Sequence, residues 1–174
     1  MQPYDEKLLT ETEAIFKKAS AMIDDGIAAS PTTDENRSSI KKPEDHPAHI
    51  SKFDERYRSL STDADALVLR ALAKSQDVSP VGDKLQKKIS DLIEQALPSQ
   101  CEDLEGEPGV STSSLTVKNY IDLKCILVRW EAQHADVKLT QGTQILKRTN
   151  WELRKTTIFG AILAIQKAET SKGH

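Results

Sequence analysis

The sequence predicts an all-α protein: an antiparallel helical bundle of four helices, or five, ending in a long coiled-coil-like C-terminal helix. Three observations predict it. Apolar residues recur at spacings of three and four in several segments, and no segment sustains the alternation of a strand. All seven prolines fall at or before Pro108, so 116–169 contains none. Across that same run, thirteen consecutive positions at a heptad spacing carry no charge.

Composition fits this class. The 174 residues are 37% apolar, 5% aromatic and 29% charged, which is lean for one compact core and ordinary for helices joined by solvated loops. The length bounds the chain to one domain, or one domain plus an extended arm, and a single domain overall is expected. The apolar content is too high and too regularly spaced for a wholly disordered chain.

Within that single domain, 1–97 reads as a helical hairpin or bundle segment, 98–115 as an acidic Pro/Gly/Ser linker, and 116–169 as the long helix. The first predicted helix runs from Tyr4 to Ala29. Leu8, Leu9, Thr12, Ile15, Phe16, Ala19, Met22, Ile23 and Ile27 share one side of it. Ser30-Pro31 ends it, because the residue before a proline is pushed out of the helical region. Residues 30–49 hold three prolines and many Ser/Thr, and read as a mobile loop with little to bury. A second helix is expected to start at Ser51, where S-K-F-D resembles a capping box. Ile50, Phe53, Tyr57, Leu60, Ala64, Leu67 and Ala71 form its uncharged seam.

Ser79-Pro80 opens a third helix, with serine capping and proline in the first turn. Its inward set is Val81, Leu85, Ile89, Leu92, Ile93, Ala96 and Leu97, and Pro98 ends it. The fourth helix, if continuous from 116 to 168, would be about 80 Å long. Its seam runs Ile121, Cys125, Val128, Ala132, Ala135, Leu139, Gly142, Leu146, Thr149, Leu153, Thr156, Gly160, Leu163. A 3.5-residue period is what knobs-into-holes packing requires. TQGT at 140–143 is the weak point, since glycine inside a helix costs about 1 kcal/mol. The heptad keeps phase across Gly142 and so predicts continuity; a break there would give a five-helix bundle instead.

Charge is unevenly placed. From Thr116 onward ten Lys/Arg face five acids (+5), and residues 1–115 carry 14 bases against 22 acids (−8). The halves can neutralise each other within one bundle, or the basic half can meet an acidic partner. The N-terminus lacks the basic start and apolar core of a secretory signal, and no run nears the roughly 18 apolar residues of a membrane span. Two cysteines, Cys101 and Cys125, make no disulfide framework. They read as reduced thiols, with cytosol or nucleus as the expected compartment.

No chemistry is legible. The seven glycines build neither G-x-G-x-x-G nor a Walker loop, and no G-x-S-x-G elbow or C-x-x-C exists. Glu131-Ala-Gln-His134 is half of a di-iron signature, but its second copy is missing and it reads as a solvated pair. His46-Pro-Ala-His49 lacks a third strong ligand. No catalytic residue, metal or cofactor is expected.

The expected role is therefore a non-enzymatic scaffold or adaptor subunit that binds partner helices, or a second copy of itself, through the seam. The partner-binding residues are Val128, Ala132, Ala135, Leu139, Leu146, Leu153 and Leu163. An alternative is nucleic-acid or anionic-surface binding through the basic half. Lys147, Arg148, Trp151, Arg154 and Lys155 place four bases and an exposed-looking tryptophan within nine residues, which could clamp phosphates while the indole stacks.

Overall fold

The computed structural model describes residues 5–74, 101 and 115–173. The helix expected at 80–97 and the acidic linker expected at 98–115 lie almost entirely outside the described residues. Five α-helices are described: α1 (Glu6–Ala29), the short α2 (Asp34–Ser38), α3 (Asp54–Lys74), α4 (Leu115–Ala135) and α5 (Arg148–Thr170).

The four long helices form an all-α bundle. α1 packs on α3 and α5, and α4 packs on the same two, with the α4–α5 contact the thinnest of the four. Ion pairs give the directions. Asp5 meets Arg70 and Lys74, while Asp25 meets Arg56, so α1 and α3 are antiparallel. Asp24 pairs with Lys155, and Thr116 donates to Glu169 at 2.6 Å, so α5 runs against both α1 and α4. Each neighbour is thus antiparallel, the arrangement of an up-down-up-down bundle.

α1 follows its apolar spacing closely. Leu8, Thr12, Ile15, Ala19, Met22 and Ile23 are buried, and Leu9, Phe16 and Ile27 are half-buried. Asp5 caps the helix by accepting from the backbone N–H of Lys7 at 3.0 Å. Ser30 ends it in an extended conformation, as the following proline demands. Every seam residue of α3 from Phe53 to Ala71 is buried. The helix itself begins at Asp54, not Ser51, because Ile50–Lys52 forms a 3-10 turn first.

The C-terminal region departs from the expected single rod. It is two helices, α4 and α5, joined by 136–147. Three residues there take left-handed backbone conformations: Gln141 (φ 55°), Gly142 (φ 80°) and Gln144 (φ 51°). Short polar side chains then take the backbone groups that a helix would use. Asp136 Oδ1 accepts from the N–H groups of Lys138 and Leu139, Thr140 donates to the Asp136 carbonyl, and Gln144 Nε2 donates to the Ala135 carbonyl. α5 restarts where the Asn150 side chain accepts from Lys147 N–H at 3.0 Å. Heptad phase says nothing of these local demands, which is why it misled.

The segment 30–49 is also more built than expected. Arg37 of α2 is buried and donates to the Ile145 carbonyl, and Ala48 is buried. His49 and Ile145 form an isolated antiparallel bridge, and Arg148 N–H donates to the Pro31 carbonyl at 2.9 Å. The two connections close one end of the bundle together.

The thiol reading needs correcting too. Cys101 and Cys125 are joined in a disulfide, with Cα atoms 5.4 Å apart, so neither is a free thiol. Two cysteines separated by 24 positions in sequence gave no spacing signal for this.

Candidate functional site

Two features stand out: a buried polar cluster near the closed end, and an uncovered stripe on α5. The cluster begins with α5. Trp151, Arg154, Ile158, Ile162 and Ile165 recur at spacings of three and four and are all buried, so an arginine occupies a core register. Its Nη1 donates to the Tyr57 hydroxyl at 2.7 Å, and its Nη2 donates to the Trp130 carbonyl at 2.6 Å and, at 3.4 Å, to Gln133 Oε1. The guanidinium also lies 4.9 Å from the Trp151 ring and 5.2 Å from the Trp130 ring, within cation–π range.

Tyr57 passes the chain of hydrogen bonds onward. Its hydroxyl, already accepting from Arg154, donates to His134 Nδ1 at 2.8 Å, and His134 Nε2–H donates to the Ala48 carbonyl at 3.1 Å. That pattern requires a neutral imidazole with its proton on Nε2. Burial, with the Arg154 charge adding to it, pushes the His134 pKa down to about 4. Burial likewise pushes the Tyr57 hydroxyl up to about 12. Both groups therefore keep their protons fixed at neutral pH, which suits a structural clasp between α3, α4 and α5.

His134 was expected to be solvated. It is fully buried against Phe53, Tyr57 and Trp151, with ring centroids 5.5–5.8 Å away. Its register with Tyr120, Leu127 and Trp130 marks the buried face of α4, and that spacing was the available signal. The tie to Tyr57, 77 residues away, had none.

The second feature lies on the outer side of α5. Thr149, Leu153, Thr156, Gly160 and Leu163, the later part of the heptad seam, are all exposed there. Leu153 is 68% and Leu163 40% exposed, and Leu139 in the preceding connection is 46% exposed. The seam is thus not one continuous face. Ile121, Cys125 and Leu146 are buried, Val128 and Ala135 are half-buried, and Ala132 is exposed beside α3. Leu146 belongs to the core.

The five residues expected to hold an anion do not converge. Trp151 is wholly buried and Arg154 nearly so, which removes the indole from any stacking role. Lys147 pairs with Asp34, Arg148 with Glu152 and Lys155 with Asp24. The basic residues are matched to acids of the same bundle. Among the described residues, no group of three or more His, Cys, Asp or Glu could hold a metal ion, and no helix is long and apolar enough to cross a membrane. His46 and His49 instead serve their own loop, accepting from the N–H groups of Ala48 and Ser51.

Comparison with protein-family models, with curated proteins and with solved structures returned no match for this chain.

Proposed function

We propose that the protein is a non-enzymatic helical adaptor or scaffold subunit, which receives a helix of its partner along the outer face of α5. The observation that carries this reading is the uncharged, exposed stripe Thr149, Leu153, Thr156, Gly160 and Leu163. Its leucines lose contact with water only if something covers them, and a seam at this spacing suits another helix. Gly160 adds to the fit, because a Cβ placed there would meet nothing within 4 Å, leaving room for a close backbone approach. The partner is another protein or a second copy of this chain.

The stripe is separable from the fold, which makes the test clean. Leu153→Asp with Leu163→Asp changes two exposed residues and should leave helix content and urea midpoint as they are. The same pair should abolish capture of the partner, and, if the occupant is a second copy, convert the dimer to monomer in sedimentation. Undiminished capture by this folded variant would refute the reading. Leu146→Asp is unsuitable for the purpose, since Leu146 is buried and its loss would unfold the bundle.

A further inference from the structure

Between α4 and α5, where the bundle contact is thinnest, a cavity of about 270 Å³ opens beside the buried cluster. It is lined by Arg129, Trp130, Gln133 and Arg154 together with the apolar Ile126, Leu139 and Leu153. We propose that this cavity binds a small carboxylate with an apolar tail, the carboxylate on Arg154 and the tail against Ile126, Leu139 and Leu153.

Charge is the first argument. Arg154 is a buried cation, and no carboxylate among the described residues pairs with it; its partners are a hydroxyl, a carbonyl and a side-chain amide. A guanidinium has more N–H donors than these three acceptors, and the Gln133 contact at 3.4 Å is long. A buried charge held without a counter-charge is costly, and a bound carboxylate would supply one in fork geometry.

Contrast among cavities is the second argument. The groove between α3 and α4 is lined by Asp65 and Glu131, and the one between α1 and α3 by Glu55. No acid is among the described residues lining the Arg154 cavity. The aromatic rings around the guanidinium hold it in place, so little ordering remains to be done on binding. Size selects a small ligand, because ~270 Å³ falls below the usual range for drug-sized molecules. The tail of the ligand is set by Ile126, Leu139, Leu146 and Leu153, which give an alkyl chain an apolar wall that a bare phosphate would leave unused.

Octanoate is a suitable probe, followed by calorimetry and by amide and methyl NMR shifts on the full chain. Saturable one-to-one binding is expected, with shifts at Leu139, Leu153 and the Trp130 indole. 1-Octanol should bind about tenfold more weakly or worse, because it lacks the charge-assisted hydrogen bonds. Gln133→Glu is the decisive variant. It is nearly isosteric and exposed, and it sets a carboxylate of the chain itself beside Arg154. Octanoate affinity should then fall about tenfold or more while the fold is retained. Absence of saturable octanoate binding at millimolar concentration would overturn the proposal. So would octanol binding equally well, or Gln133→Glu binding octanoate as wild type does. Leu153 is common to the cavity and the α5 stripe, so octanoate is titrated into the chain alone and partner capture is read without octanoate, which keeps the two tests apart.

Discussion

Replacing Gly26 by alanine puts a methyl group into a contact between α1 and α5 that has no space for it. On helix propensity alone the change should stabilise, since alanine gains roughly 0.5–1 kcal/mol over glycine inside a helix. The packing argues the other way. A Cβ at Gly26 would lie 2.3 Å from two ring carbons of Trp151 and 2.7 Å from a third. Carbon atoms pack best at about 3.5–4.0 Å, so the overlap exceeds about 1 Å. The indole cannot retreat, because Phe53 and His134 rings stand 5.0 and 5.5 Å from it and the Arg154 guanidinium 4.9 Å. Overpacking of this kind costs about 1–3 kcal/mol or more, which exceeds the propensity gain. The expected net loss is on the order of 1–2 kcal/mol, read as a lower urea midpoint at unchanged slope. Gly160→Ala is the internal control: with nothing within 4 Å, it should stabilise by about 0.5–1 kcal/mol. Trp151→Phe should partly relieve Gly26→Ala in a double-mutant cycle. A Gly26→Ala protein as stable as wild type would refute the seating of Trp151 on α1.

Two further perturbations follow from the same packing. His134 is neutral when folded, with a pKa lowered to about 4, and has an ordinary value near 6.5 when unfolded. As pH falls from about 6.5 to 4, the unfolded chain takes up a proton that the folded one refuses, so stability declines through that window by on the order of 3 kcal/mol and levels off below it. Urea midpoints at pH 7 and pH 4.5 should show a smaller decline in His134→Gln; an equal decline would place the sensitivity elsewhere. Reducing the Cys101–Cys125 disulfide frees a loop closed over a separation of 24 residues and should cost about 3–4 kcal/mol, measured as a lower urea midpoint in dithiothreitol. No change on reduction, with free thiols confirmed, would remove the disulfide from the stability of the fold.

How much of this was legible in the residues varies by element. α1 and α3 could be read almost residue by residue, since each has one apolar face, a clear terminator or entry, and a single bundle to pack into. Leu8, Thr12, Ile15, Ala19, Met22 and Ile23 of α1 and the seam from Phe53 to Ala71 were named and are buried, while Leu9 and Phe16 are half-buried. α4 and α5 were harder because two stripes compete on each. Thr149, Leu153, Gly160 and Leu163 form the more regular one, while the core used its neighbour through Trp151, Arg154, Ile158 and Ile162. An arginine in that second stripe hid it from a count of uncharged positions. Arg154 is tolerable there only because Tyr57 and the Trp130 carbonyl come from other helices to meet its donors.

Periodicity is a property of a segment, and it was enough to establish helices, their apolar faces and an all-α class. What it leaves open is which of two faces turns inward, and whether a chain with an unbroken heptad also has an unbroken backbone. Those outcomes were set by contacts from far along the chain. Arg37 and His49 seat the first connection against 136–147, Tyr57 takes up His134 and Arg154, and Gly26 makes room for Trp151. Burial of a polar or bulky side chain depends on whether its partners arrive, and only the assembled bundle brings them.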